Sequence, residues 1–404
     1  MIGKRGFITL ILIFMMGVGL AASPFVLRAI PPRYAARYLP QVLQDFVSPK
    51  TESSILPTVA KPADVSFLLA QVEPPPTATP NLPPATFTPV PVAGMERETA
   101  VPDTPTPLPP TPTHTPVPIP ATARLEGFQH HFQDWNNCGP ATMAMTMSYF
   151  GMNLTQFDTA AVLKPDPEDR NVSPPEMAAF VEEQTPYSAI NRVNGSLETV
   201  KQLIAAGVPV ILEIGIEPPG EFQWMGWYGH YLLVVAYDDA AAQFWVYDSW
   251  FGTSLVPGEN ADKNGRTLSY EEVGIYWPHF NNNYIAVFQP EQAASVANII
   301  GADIDEQVMW QNNLTINQQN AAAEPENAFF WFNLGTALNA LNRYDEAATA
   351  FDQARAIGLP WRMLWYQFGP YEAYYQVGRY EEVILLAEVT LKDRPYFEES
   401  FFYK

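Results

Sequence analysis

The chain has 404 residues, with 22 Lys and Arg against 43 Asp and Glu, 40 Pro, 23 Gly and one Cys. A formal charge of -21 and a pI near 4.5 exclude a general nucleic-acid binder, because a phosphate backbone is gripped by clustered Lys and Arg. The single Cys excludes an internal disulfide framework and any zinc site built from several thiolates, and the length allows roughly two or three domains at about 150 residues each.

Lys4 and Arg5 precede 22 uncharged residues, 6–27, before Arg28. At about 1.5 Å per residue that run is long enough to cross a bilayer, although Pro24 weakens its last turn. Residues 1–27 therefore read as a signal anchor, or as a signal peptide if they are cut. Arg28, Arg33 and Arg37 balance Lys4 and Arg5, so the flanking charge leaves the orientation open. Residues 28–73 form a juxtamembrane segment in which 32–46 reads as a short helix interrupted at Pro40. Residues 74–123 read as a Pro/Thr-rich stalk, since 17 of the 40 prolines fall between Pro74 and Pro120. As extended polyproline helix at about 3.1 Å per residue, it would hold a globular head on the order of 100 Å from the membrane. Such a spacer makes most sense outside the cell. The expectation is a single-pass cell-membrane protein with its globular part extracellular, or a secreted one if the N-terminal segment is cleaved.

Residues 124–290 mix helix and strand signals and read as an α+β domain. A helix is predicted over 138–150, with Pro140 in its first turn and Gly151 as its stop. Ser173 and Glu176 form a capping box opening a second helix to about 183, and a third spans 196–206. A buried strand follows over 208–214. Strands at 231–237 and 244–250, joined by 238–242, predict an antiparallel hairpin.

Residues 291–404 read as all-α. ALNALNRYDEA at 337–347 realigns with AYYQVGRYEEV at 373–383, an offset of 36. With Trp331, Leu334-Gly335, Ala347, Phe351, Ala354 and Pro360, the pattern resembles the tetratricopeptide repeat, whose period is about 34 residues; Met309 to Pro325 resembles the back half of a preceding unit. A protein partner held by these repeats is one reading, and plain packing of helix on helix is the other.

The chemistry concentrates at Gln133-Asp134-Trp135-Asn136-Asn137-Cys138-Gly139-Pro140-Ala141. It places the only thiol at a helix start, where unpaired N–H groups and the dipole favour a thiolate, and Gly139 admits a close backbone. A small buried hydrophobe is the alternative for a lone Cys. Thiolate attack on an amide needs a base and an oxyanion donor. Gln133 is the candidate donor. Of the five His, His114 lies in the stalk, His279 in a Trp-Pro-His turn, and His130 and His131 just before Gln133. Adjacent side chains on an extended segment point apart, so His130 and His131 do not read as a metal pair. His230 opens a strand beside Gly229 and is the chosen base. Pairing the two hairpin strands brings Asp248 near it, as orienting group or as an ordinary strand-end cap. The aromatic loop 222–228, with Trp227 and Tyr228 just before His230, reads either as a wall of a peptide cleft or as a roof over the core. No cofactor and no metal is implied.

QDWNNCGPA, GHYLLVVAYDD and VYDSW together resemble the papain-like cysteine peptidases of the double-glycine-leader type, which trim bacteriocin precursors, and more closely their stand-alone relatives. The resemblance covers about residues 129–289. It implies a papain-like α+β fold with Cys138 as nucleophile, His230 as base and acid, Asp248 as the His partner and Gln133 as oxyanion donor. Trp135, Gly139, Trp227 and Tyr228 are then the candidate substrate-binding residues. The sequence departs from the family in placing Gln133 five residues before Cys138, where six are common, and no GxxxxGK[ST] loop occurs to couple it to export. The expected activity is a surface-displayed cysteine peptidase acting on a peptide or protein. The alternatives are an envelope amidase or transpeptidase with the same triad, and a non-catalytic binding scaffold.

Overall fold

The computed structural model describes residues 55–59, 64–70, 119–134, 136–166, 169, 171–217, 226–251, 264–393 and 397–404. The apolar run at 6–27, the segment at 32–46, most of the Pro/Thr-rich stretch, Trp135 and residues 222–225 lie outside them. Among the described residues no helix is long and apolar enough to cross a membrane.

An antiparallel sheet organises the first domain, in the order β2-β7-β3-β4-β5-β6. Its strands are β2 (Ser188–Arg192), β3 (Val210–Ile216), β4 (Tyr228–Asp238), β5 (Gln243–Asp248), β6 (Arg266–Ser269) and β7 (Tyr284–Phe288), and β1 (Thr122–Arg124) pairs with the far end of β4. The predicted hairpin is β4–β5, with a bulge between Val234 and Ala236 and Leu232 opposite Asp248. β4 starts three residues earlier than predicted, so Tyr228 and Gly229 are strand residues, paired with Ile216 and Gly215. β1, β2, β6 and β7 carry no sequence signal strong enough to have been predicted.

β4 is buried on both faces, so its side chains alternate between two apolar layers. Tyr231, Leu233 and Val235 face α1 (Cys138–Tyr149) and, beyond α2 (Gln156–Leu163), α3 (Pro174–Gln184), through Met143, Met145, Met147, Met177 and Phe180. Leu232 and Val234 face α4 (Leu197–Ala205) and α5 (Tyr270–Tyr276) through Val200, Leu203, Ile204 and Val273. α1 is buried all round from Gly139 to Ser148, which is why its sequence shows no polar stripe. Ser173 and Glu176 form the capping box that starts α3.

The second domain comprises α6 (Ala293–Ile300), α7 (Glu306–Ala323), α8 (Ala328–Ala340), α9 (Tyr344–Ile357), α10 (Gly369–Gln376), α11 (Tyr380–Asp393) and α12 (Glu398–Tyr403). α9 and α11 start 36 residues apart, but α10 has 8 residues where α8 has 13. The connection after α9 holds an extra 3₁₀ turn, Trp361–Trp365. Gly335 lets α9 close on α8, since a Cβ there would lie 2.6 Å from Phe351 Cε1.

Polar and apolar contacts join the domains. Asn313 and Asn317 of α7 are buried and donate to Asn281 Oδ1, and Asn333 of α8 donates to the Pro278 carbonyl at 2.6 Å. Trp227 and Phe280 belong to the same apolar cluster as Trp331, Phe332 and Trp365 of the helical domain.

Part of the segment before the Pro/Thr-rich stretch also packs on the helical domain. Residues 55–70 already lie on the helical domain: Leu56 and Leu68 are buried in its core, Arg355 Nε donates to the Pro57 carbonyl and Gln318 Nε2 to the Leu68 carbonyl.

Candidate active site

Cys138 is the first residue of α1, and its N-cap, Asn137, makes no side-chain capping bond to the helix start. The loop before it is pinned from α2. Gln156 accepts from Asp134 N at 2.6 Å and from Asn137 Nδ2 at 3.2 Å, and donates to the Phe132 carbonyl. Buried Lys164 donates to the Asn136 carbonyl at 3.1 Å. These four contacts aim the thiol from a fixed backbone, which a loop of this length could not do alone.

His230, the third residue of β4, is 4% exposed, and its Nε2 lies 2.9 Å from Asp248 Oδ1. That leaves Nδ1 as the ring nitrogen not taken by Asp248, and Cys138 lies near enough to act on the ring's charge. Burial disfavours the charged imidazole, but the charge and hydrogen bond of Asp248, with the Cys138 contact, outweigh it and raise the pKa to about 9. Asp248 is fully buried. Burial would raise its pKa, yet the charges of His230 and Arg266 and its hydrogen bonds hold it far below the usual carboxylate range. Oδ1 also accepts from Trp250 N and Phe251 N, and Oδ2 from Arg266 Nε at 2.9 Å.

Arg266 was not among the sequence candidates. It opens β6 directly after Gly265, which has φ +94 and whose Cβ would meet the Val246 carbonyl oxygen at 2.7 Å, so only glycine brings the guanidinium this close. With His230 protonated, the buried group of Arg266, Asp248 and His230 carries one net positive charge.

Gln133 sits against the end of β5. Its N–H donates to the Ser249 carbonyl and its Oε1 accepts from Ser249 Oγ, each at 2.8 Å. The amide is thereby oriented through its oxygen, and Nε2 is its donor end. His130 Nε2 donates to the Asp248 carbonyl at 2.8 Å, and burial lowers its pKa, so it braces the Asp248 backbone as a neutral ring.

The other candidates fall elsewhere. Trp135 lies outside the described residues. Gly139 faces the core, where a Cβ would meet Val172, Met177 and Tyr231. Trp227 is buried between the domains, donating to His279 Nδ1 at 3.1 Å and stacked on Phe280. Tyr228 lies under the Arg362 guanidinium, 4.2 Å from its ring centre. His279 stacks on Phe329 with its pKa lowered to about 3 by burial, which removes it as a base. One further acid lies behind the thiol. Glu213 of β3 is buried opposite Tyr231, and burial raises its pKa; Tyr231 Oη donates to the Val172 carbonyl at 2.7 Å.

Residues 123–276 match the model of the Peptidase_C39 like family. That supports a C39-like, papain-like peptidase domain in this part of the chain, and cysteine peptidase activity at the level of the family. Among solved structures, a Bacillus anthracis protein described as a candidate C39-like peptidase aligns at 14% identity and a TM-score of 0.32, covering 41% of this chain and 96% of that one. At that score and identity it is a similarity and nothing more. No curated protein matches.

Proposed function

We propose that the chain is a cysteine peptidase that hydrolyses a peptide bond with Cys138, His230, Asp248 and Gln133. The observation that carries this reading is the buried pair in which Asp248, held by Arg266, takes His230 Nε2 at 2.9 Å and leaves the other ring nitrogen for Cys138.

His230 Nδ1 holds the thiol proton before Cys138 Sγ attacks the substrate carbonyl carbon. The tetrahedral oxyanion is met by the Cys138 N–H at the start of α1 and by Gln133 Nε2, donors fixed before the reaction begins. The C–N bond breaks as His230 returns its proton to the leaving amine, giving a thioester on Cys138. Water then attacks the thioester, its proton going to His230 and back to the departing sulfur. Asp248 keeps the ring in one tautomer and offsets the imidazolium charge throughout.

Attachment to the cell membrane through residues 6–27, with the folded part outside, is the localisation proposed. The uncharged run of 22 residues supports it. Binding of a protein partner by the helical domain rests on the repeat spacing alone.

The test is a peptide pool read by mass spectrometry. Hydrolysis gives fragments whose compositions add up to a parent peptide plus water, and Cys138→Ala abolishes them. Products longer than any input peptide would assign the same residues to transfer onto an amine, and no Cys138-dependent product would overturn the enzyme reading.

A further inference from the structure

The 3₁₀ turn that lengthens the helical repeat does not face solvent. It closes on residues 227–229, the stretch immediately before His230. Arg362 donates from Nη1 to the Trp227 carbonyl at 3.3 Å and stacks over Tyr228. Trp365 meets the Tyr228 ring edge-on, with centres 6.3 Å apart. Tyr366, the next residue, packs edge-on against Trp227 and Phe280 at 5.9 and 5.8 Å.

The Tyr366 ring also lies against Gly229. A Cβ on that glycine would stand 3.0 Å from Tyr366 Cζ and 3.1 Å from Cδ1, so the absence of a side chain next to His230 is what admits the phenol. Tyr366 keeps partial exposure, as Cys138 does. Burial raises the phenol pKa, followed by the charge of nearby Cys138, while the Gly229 N–H acts in the opposite sense on the phenol oxygen. The hydroxyl therefore stays protonated and is a hydrogen-bond donor at any pH where a peptidase works. A peptide laid across Cys138 must pass residues 228–230, and its buried carbonyl groups need donors there.

We propose that Tyr366, delivered by the helical domain, is a substrate-binding residue of the peptidase cleft, its hydroxyl donating to a backbone carbonyl of the bound peptide beside Cys138. This rests on the peptidase reading above. It makes the helical domain a wall of the active site, with selectivity for peptide backbone supplied from outside the 123–276 stretch that the family model matches.

The test compares the full chain with Tyr366→Phe and Tyr366→Ala, using two alkylating probes of Cys138. Iodoacetamide reads the reactivity of the thiol. A pool of tripeptidyl chloromethyl ketones with randomised side chains reads backbone recognition as well. Tyr366→Phe keeps the ring on Gly229, so its iodoacetamide rate is expected within twofold of wild type, while the peptidyl probe slows about fivefold to tenfold, the effect of one neutral hydrogen bond. Equal peptidyl rates in Tyr366→Phe and wild type overturn the proposal, as does equal slowing with both probes, or faster peptidyl labelling in Tyr366→Ala, which would mean that the ring blocks the cleft. Wild-type Cys138 inert to both probes until the protein unfolds overturns the peptidase reading itself.

Discussion

Arg266 and His230 grip the Asp248 carboxylate from opposite sides, Arg266 Nε on Oδ2 and His230 Nε2 on Oδ1, each at 2.9 Å. Neither cation reaches solvent freely, so the carboxylate is the hub on which the site's charge balance turns. Removing one partner of such a buried group leaves the other uncompensated. Arg266→Met is expected to destabilise the protein by about 3–5 kcal/mol in denaturant unfolding. A loss below about 1 kcal/mol would mean that the Arg266–Asp248 pair is not buried as described.

The same hub sets the pH dependence of stability. Asp248 is depressed in the folded protein, so its contribution is present above the unfolded aspartate value of about 3.9 and is lost as pH falls toward its folded value. His230 is raised, so its contribution is complete below the unfolded histidine value of about 6.5 and is lost as pH rises through about 9. Melting temperature should therefore fall on both sides of a mildly acidic to neutral plateau. In Asp248→Asn the plateau drops and both slopes flatten. An unchanged profile would contradict the charge assignment.

Gln133 acts on the oxyanion, which exists only in the transition state, so Gln133→Ala should lower kcat by about 10²–10³ with little change in KM. Ser249 holds only the orientation of that amide, through a hydrogen bond from its Oγ to Gln133 Oε1. Ser249→Ala should accordingly cost less than Gln133→Ala. Steady-state kinetics on any peptide found to be cleaved would check the order, and the reverse order would remove Gln133 from the oxyanion site.

Residues 55–70 are part of the fold through Leu56 and Leu68, both in the core of the helical domain. Leu68→Ala should cost about 2–5 kcal/mol, the usual range for a truncated buried leucine. Its measure is the denaturant midpoint of the full chain. A midpoint equal to wild type would contradict the packing of this segment on the helical domain.

The parts of the site legible in the sequence were those whose placement is local. Cys138 is found from the helix start at Pro140 and its stop at Gly151, and Asp248 from a hairpin whose pairing puts it near His230 whatever the rest of the chain does. Arg266 is a lone basic residue opening a four-residue strand, and its partner is reached only across the sheet. Gln156 and Lys164 act on the loop before Cys138 from another helix and leave no motif. Trp227 and Tyr228 showed that something aromatic packs beside His230, but the choice between cleft wall and covered core depends on Arg362, Trp365 and Tyr366, more than 130 residues away. Residues 55–70 read as part of the juxtamembrane segment 28–73 because two leucines in a short apolar stretch look alike whether or not a groove is waiting for them.

The most direct measurement is the rate of Cys138 alkylation by iodoacetamide as a function of pH, in wild type and in His230→Ala, with folding verified in each. If Cys138 and His230 share a proton as proposed, wild type reacts well below pH 8 and the variant loses that low-pH reactivity. Identical profiles in the two proteins, or a thiol that reacts only after unfolding, would contradict the account.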